Sequence, residues 1–206
     1  NPNIKVMDYV HPVNIKELPG KDRNGNKTFI VDMGQNMVGW LQFDNSQANL
    51  ADTVTLRFAE TLNPDGSLYM ANLRKALVTD KYYSTASNKN VRWHPVFTYH
   101  GFRYVEVKGF KTKPAAEKFL GVVLHDDMPS TATLETSNGV INTVFKNAYW
   151  GIRGNYRGMP TDCPQRDERM GWLGDRTTGC YGEAYMFNYH QLYSKWLRDI
   201  EEAQNE

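Results

Sequence analysis

Between Asp162 and Asp175 the chain gathers Asp162, Asp167, Glu168 and Asp175, with Arg157, Arg166, Arg169 and Arg176 interleaved through and around them. Carboxylates crowded together raise one another's pKa, whereas arginines beside them lower it. One acid kept protonated among others kept ionised is what general acid catalysis on a glycosidic bond requires. Trp172 adds a flat apolar wall of the kind that stacks on a sugar face, Gly171 and Gly174 permit tight turns around it, and Pro160 and Pro164 stiffen the entry. Taken by composition alone, the same mixture also describes a solvated loop whose surface ion pairs contribute little. A calcium or magnesium loop is a third reading, but the spacing lacks the Asp-x-Asp-x-Asp-Gly pattern and the arginines oppose a cation. Cys163 as a nucleophile needs a histidine partner, and His11, His94, His100, His125 and His190 are all distant from it in sequence.

The elements that must position this segment fall into two periodicities. Up to about residue 135 the period is two: Met37, Gly39, Leu41 and Phe43 alternate with Val38, Trp40 and Gln42, Val54, Leu56 and Phe58 with Thr55 and Arg57, and Val105 and Val107 with Glu106 and Lys108. Phe29-Ile30-Val31, Tyr82-Tyr83 and Phe119 to Leu124 are further strand candidates. Turn signals at Arg23-Asn24-Gly25-Asn26, Asn63-Pro64-Asp65-Gly66 and Ser87-Asn88-Lys89-Asn90 separate them. Short strands punctuated in this way predict an antiparallel β-sandwich. Near Ser137 the period changes. Ile141, Phe145, Ala148 and Ile152 predict a helix face, with Ser137 or Asn138 as N-cap. A second helical pattern runs from about Glu183 to Ala203, through Phe187, Leu192, Trp196, Leu197 and Ile200, and residues 151–182 read as a polar loop between the two.

Bulk properties narrow the classes. The 206 residues carry 24 basic and 23 acidic side chains, so no field of one sign favours nucleic acid or anionic lipid. No apolar run reaches the roughly 20 residues needed to span a bilayer. Two cysteines, Cys163 and Cys180, make neither a disulfide framework nor a four-thiolate zinc site; they read as two buried or semi-buried thiols, with one bridge between them as the alternative. Asn26-Lys27-Thr28 is a formal glycosylation sequon. The first residue, Asn1, is expected to follow a trimmed or processed start.

The ordered run Met159-Pro160-Thr161-Asp162-Cys163-Pro164-Gln165-Arg166-Asp167-Glu168-Arg169-Met170-Gly171-Trp172-Leu173-Gly174-Asp175 resembles the signature of bacterial α-L-rhamnosidases of glycoside hydrolase family 78. Upstream, Arg57 to Gly66 and Phe97 to Tyr104 are similar to the β-sandwich that precedes the catalytic domain in that family, so the resemblance covers about residue 28 onward. It implies an extension or linker over residues 1–27, an accessory β-sandwich over 28–132, and the first helices of an (α/α)6 barrel over 133–206. It implies an inverting hydrolase of terminal α-L-rhamnose, with Glu168 as general acid, Asp162 and Asp175 binding rhamnose hydroxyls, Trp172 lining the sugar pocket, and Arg166 and Asp167 positioning these groups. A rhamnose-containing glycoside is the expected partner, together with the rest of the parent chain; no metal, cofactor, nucleic acid or membrane is called for. A periplasmic or extracellular setting is favoured over the cytoplasm. The stretch from Ser137 to Glu206 is too short to close such a barrel, so the general base is expected beyond Glu206 and the fragment alone is expected to be inactive. Two rival readings stay open: a carbohydrate-binding or structural sandwich using Trp40, Trp93 or Tyr99, and another (α/α)6 glycosidase with a different sugar.

Overall fold

The longest strand organises the first part of the chain. In a computed structural model describing residues 3–21, 25–46 and 48–204, strand β3 (Thr28–Asp44) pairs along both of its edges. Around it run β1 (Ile4–Val10), β2 (Asn14–Glu17), β4 (Leu50–Ala59), β5 (Thr79–Tyr83), β6 (Arg92–Trp93), β7 (His100–Phe110) and β8 (Phe119–Asp126). One edge of β3 holds β2 and then β8; the other holds β7 and then β6. All the pairings of β3 are antiparallel, as are those of β4 with β5 and β7, and the strand order is β1-β8-β3-β7-β4-β5. The antiparallel β region followed by helices is therefore as expected, with its strands joined in one continuous sheet. Of the turn expected at residues 23–26, Arg23 and Asn24 lie outside the described residues.

Alternation decides which side chains leave water. Met37, Leu41 and Phe43 are buried on β3, with Val38, Trp40 and Gln42 only partly so. At Phe29-Ile30-Val31 three consecutive residues are buried, so both faces of the strand are covered there. A register shift between Asp32 and Met37 sits where the partner on one edge changes from β2 to β8, and a bulge bends the strand at such a point. Phe43 is the hub of the aromatic core: its ring centroid lies 5.2 Å from Tyr82, 5.5 Å from Trp93 and 5.9 Å from Phe110. Each such side chain contributes about 1.5–3 kcal/mol by burial. Gly39 pairs with His100 on one edge and Val123 on the other, and an added Cβ would stand 1.8 Å from the Val122 carbonyl oxygen.

After β8 the chain is helical. Helix α1 (Gly139–Gly154) begins at Asn138, whose side chain accepts from the backbone N–H of Val140 at 2.9 Å and of Ile141 at 3.4 Å. Its inward residues are Phe145, Tyr149 and Ile152, packed on Met128, Tyr156, Met186, Phe187 and Leu192. Ile141 and Ala148, expected on that face, are exposed. The single helix expected from Glu183 to Ala203 is two: α2 (Leu173–Met186) and α3 (His190–Glu202). Phe187 separates them because its backbone is extended, at φ −140° and ψ 141°, while its ring is buried against Tyr149 at 5.0 Å. Much of the expected loop is thus helix. Gly174, Gly179, Gly182 and two threonines give α2 weak local propensity, which hid it from a reading by periodicity. Among the described residues no helix is long and apolar enough to cross a membrane.

The chain divides into two units, one of Asp8–Val123 with Gln165–Asp167, the other of Asn1–Met7, Leu124–Pro164 and Glu168–Glu206. In the second, buried Arg157 donates to the carbonyls of Gly154 and Leu124, each at 2.5 Å, and the Gly158 N–H donates to Asp126 at 2.6 Å. Burial, aided by Arg153 and Arg157, pushes the His125 imidazole down to about 4.

Two outcomes follow. Gly39→Ala should destabilise the sheet unit by roughly 3 kcal/mol, at the upper end of overpacking effects, as a lowered urea midpoint. His125 should remain neutral until about pH 4 by NMR titration. Because the unfolded chain takes up that proton near the ordinary value of 6.5, the contribution of His125 is full above that pH and is lost as pH falls toward 4. A His125→Gln variant should flatten that part of the stability profile.

Candidate active site

The segment from Met159 to Asp175 is held at its root by backbone. Thr161 N–H donates to the Asn155 carbonyl at 2.5 Å, Arg157 N–H to Met159 at 3.1 Å, and Tyr156 bridges Pro160. Asp162 N–H then donates across the loop to the Met170 carbonyl at 2.9 Å. Gly171 is needed here: a Cβ would come within 3.2 Å of both the Met159 sulfur and the Pro160 carbonyl oxygen. Two non-glycine residues in this loop, Cys163 (φ 50°) and Arg169 (φ 52°), adopt the left-handed conformation, and the Arg169 guanidinium Nε caps the Pro164 carbonyl at 3.2 Å. Such conformations cost about 1 kcal/mol or more each and persist where surrounding contacts impose them.

These constraints bring Asp162, Cys163 and Glu168 together. A carboxylate oxygen from each acid and the thiol sulfur lie within 4.8 Å of one another, and all three residues are partly buried. Two carboxylates and a thiol at that separation suit sugar hydroxyls; acidic groups are also often clustered without any ion. The indole N–H of Trp172 donates to Glu168 Oε1 at 3.0 Å. Trp172 is itself the N-cap position of α2, and it stays 45% exposed. Asp175 stands exposed in the first turn of α2, where the positive end of the helix dipole favours a carboxylate.

Asp162, Glu168, Trp172 and Asp175 belong to the helical unit, whereas Arg166 and Asp167 belong to the sheet unit. There Asp167 accepts from the Lys75 backbone N–H at 3.4 Å, and Gln165 packs so closely on Gly101 that a Cβ at 101 would lie 2.7 Å from its own. The arginines are divided too. Arg157 serves backbone carbonyls, and Arg176 pairs with Glu183 at 2.6 Å.

Sequence reasoning missed Tyr156 and Glu183. Tyr156 is fully buried; its hydroxyl donates to Glu183 Oε2 and lies 3.2 Å from the Tyr193 hydroxyl. Burial, the neighbouring carboxylate and Tyr193 hold the Tyr156 phenol well above its usual range. Burial opposes the charge of Arg176, but Glu183 and Tyr156 outweigh it and raise its pKa. The signal available in sequence was the spacing of Trp172, Arg176, Gly179 and Glu183 by 4, 3 and 4, a helical stripe in a segment read as loop. Two of the three aromatics proposed for a binding module are engaged in packing: Trp40 stacks on His94 at 4.8 Å, and Trp93 lies 5.5 Å from both Phe43 and Tyr82.

Comparison with known proteins bears on this geometry. Residues 22–125 match the bacterial alpha-L-rhamnosidase concanavalin-like domain, and residues 129–206 match the bacterial alpha-L-rhamnosidase six-hairpin glycosidase domain. An alpha-L-rhamnosidase of Streptomyces avermitilis is 44% identical over 94% of this chain, and one of Formosa agariphila is 41% identical over 85%. The chain spans about a fifth of the length of these relatives, 19% of each. The crystal structure of a Streptomyces avermitilis alpha-L-rhamnosidase complexed with L-rhamnose aligns with all of the chain at 39% identity and a TM-score of 0.91, over 19% of its own length.

Proposed function

We infer the function from one premise: this chain belongs to the bacterial α-L-rhamnosidase family. It contributes the acid side of a site that hydrolyses terminal α-L-rhamnose from a glycoside or polysaccharide. The observation that carries the reading is the convergence of Asp162, Glu168 and Trp172, with the indole N–H on the Glu168 carboxylate.

Glu168 is the general acid. Its carboxyl proton passes to the glycosidic oxygen as the bond from that oxygen to the anomeric carbon breaks, and the bonding electron pair leaves with the oxygen. Water adds to the anomeric carbon from the opposite face and loses a proton to a second carboxylate, giving the inverted sugar. None of the acids between Asp162 and Asp175 is assigned to that second role. Asp162 and Asp175 accept from rhamnose hydroxyls, the exposed Trp172 stacks on the ring, and Arg166 and Asp167 assist in positioning. In the same proposal residues 28–132 form an accessory sandwich after an extension over 1–27, and residues 133–206 open an (α/α)6 barrel. A substrate of polymer debris suits a periplasmic or extracellular setting.

The test uses the complete protein and two substrates. Glu168→Gln should lower kcat by about 10³ on an alkyl α-L-rhamnoside, whose leaving group needs a proton, and by about tenfold or less on a nitrophenyl α-L-rhamnoside, which does not. Equal losses on both substrates, or none, would remove Glu168 from the role. Trp172→Ala should weaken L-rhamnose binding at least tenfold by calorimetry.

A further inference from the structure

Helix α2 carries Trp172 at its N-cap and Asp175 in its first turn, so whatever fixes this helix also fixes two of the proposed sugar-site residues. Apolar packing does little of this. Of all its residues only Glu183 and Met186 are buried, and Leu173, Tyr181 and Tyr185 on the same helix are exposed. The anchor is polar. Glu183 Oε1 accepts from Arg176 at 2.6 Å, its Oε2 accepts from Tyr156, and Arg176 also reaches the Tyr156 hydroxyl at 3.4 Å. Tyr156 is fully buried and stands in the backbone root of the loop, where its carbonyl accepts from Asp126 N–H. The helix is thereby tied to the segment from which the loop departs.

The glycine between the paired residues fits this role. Gly179 lies on the stripe between Arg176 and Glu183, and a Cβ there would stand 3.2 Å from Glu183 Oε1 and 3.9 Å from an Arg176 nitrogen. A glycine inside a helix costs about 1 kcal/mol relative to alanine. Here it leaves room for the ion pair to lie along the helix surface. One turn before Arg176 on the same stripe comes Trp172, whose carbonyl accepts the Arg176 backbone N–H at 3.3 Å and whose indole meets Glu168.

We propose that Glu183 is a positioning residue for the catalytic acid: held by Arg176 and Tyr156, it fixes α2 so that Trp172 donates to Glu168. It acts from roughly 16 Å along the helix axis and touches no substrate. The proposal rests on the reading of Glu168 as general acid. An N–H donated to a carboxylate favours its ionised form, so loss of that donation raises the pKa of the acid. The alkaline limb of kcat/KM, where a general acid loses its proton, must then move to higher pH.

The experiment compares pH profiles of the complete protein on an alkyl α-L-rhamnoside. Trp172→Phe and Glu183→Gln should each move the alkaline limb upward by about half a pH unit or more. Glu183→Gln should lower kcat about tenfold with KM changed less than threefold, and the double variant should move the limb no further than Trp172→Phe alone. Tyr156→Phe, which keeps the buried ring, should move the limb in the same direction and serves in place of Glu183→Gln if that variant does not fold. A limb that stays in place in the folded Glu183 or Tyr156 variant, while Trp172→Phe moves it, overturns the proposal. A limb that survives Glu168→Gln overturns instead the acid assignment on which it rests.

Discussion

A buried carboxylate, Glu183, holds the helical unit to its loop. Its two oxygens are divided between Arg176 on the same helix and Tyr156 beneath the loop, so one side chain joins elements 27 residues apart in sequence. Taking a charge out of water costs several kcal/mol, and removing one member of such a pair leaves the other uncompensated, at a typical loss of about 3–5 kcal/mol. Arg176 keeps partial contact with solvent, which softens that figure. What the arrangement supplies is direction. A hydrophobic contact tolerates sliding, whereas hydrogen bonds joining Glu183 and Arg176 to the one Tyr156 hydroxyl restrict the rotation of α2 about its axis and hence where Trp172 and Asp175 face.

The loop between these anchors is shaped more by backbone than by its charges. The Asp162-to-Met170 hydrogen bond, the close approach at Gly171 and the left-handed residues Cys163 and Arg169 together turn the chain so that Asp162, Cys163 and Glu168 converge. Four arginines lie near four acids in sequence, a pattern that as easily describes a solvated surface. Two of those arginines have structural partners of their own: Arg157 caps carbonyls and Arg176 serves Glu183. The sheet unit has an analogous pivot in β3, whose residues are paired on both edges from Phe29 to Asp32 and again at Gly39 and Phe43. At Gly39 the backbone of β8 presses so close that no side chain fits.

Much of this organisation could be read from the amino-acid order. Alternation at Met37 to Phe43, Val54 to Phe58 and Val105 to Val107 marks β3, β4 and β7. On β3 and β4 every second side chain goes inside because one face is the more covered, whereas on β7 Glu106 is buried along with Val105 and Val107. Asn138 marks the start of α1 through the preference of a short amide for free backbone N–H groups. The ordered run from Met159 to Asp175, together with its upstream companions, pointed to the family that the comparisons identify. Local chemistry is enough for these features, since each depends on residues within a few positions of one another.

Other features needed the tertiary structure. Periodicity merged the end of α2 with α3, since Phe187 breaks the helix only because its ring is drawn into the cluster with Tyr149, a contact 38 residues away in sequence. The inward face of α1 turned out to run through Phe145, Tyr149 and Ile152, because the cluster it packs on is built from residues 128 and 156 to 192. Glu183 and Tyr156 carried no motif, and their coupling is a matter of burial and angle that appears only when the chain has folded. The sequence by itself determined which groups are present and which local shapes they prefer. The tertiary structure decided which carboxylates meet, which arginines are already engaged and which helix face is held, because the energies that fix these depend on desolvation and on distances between segments remote along the chain.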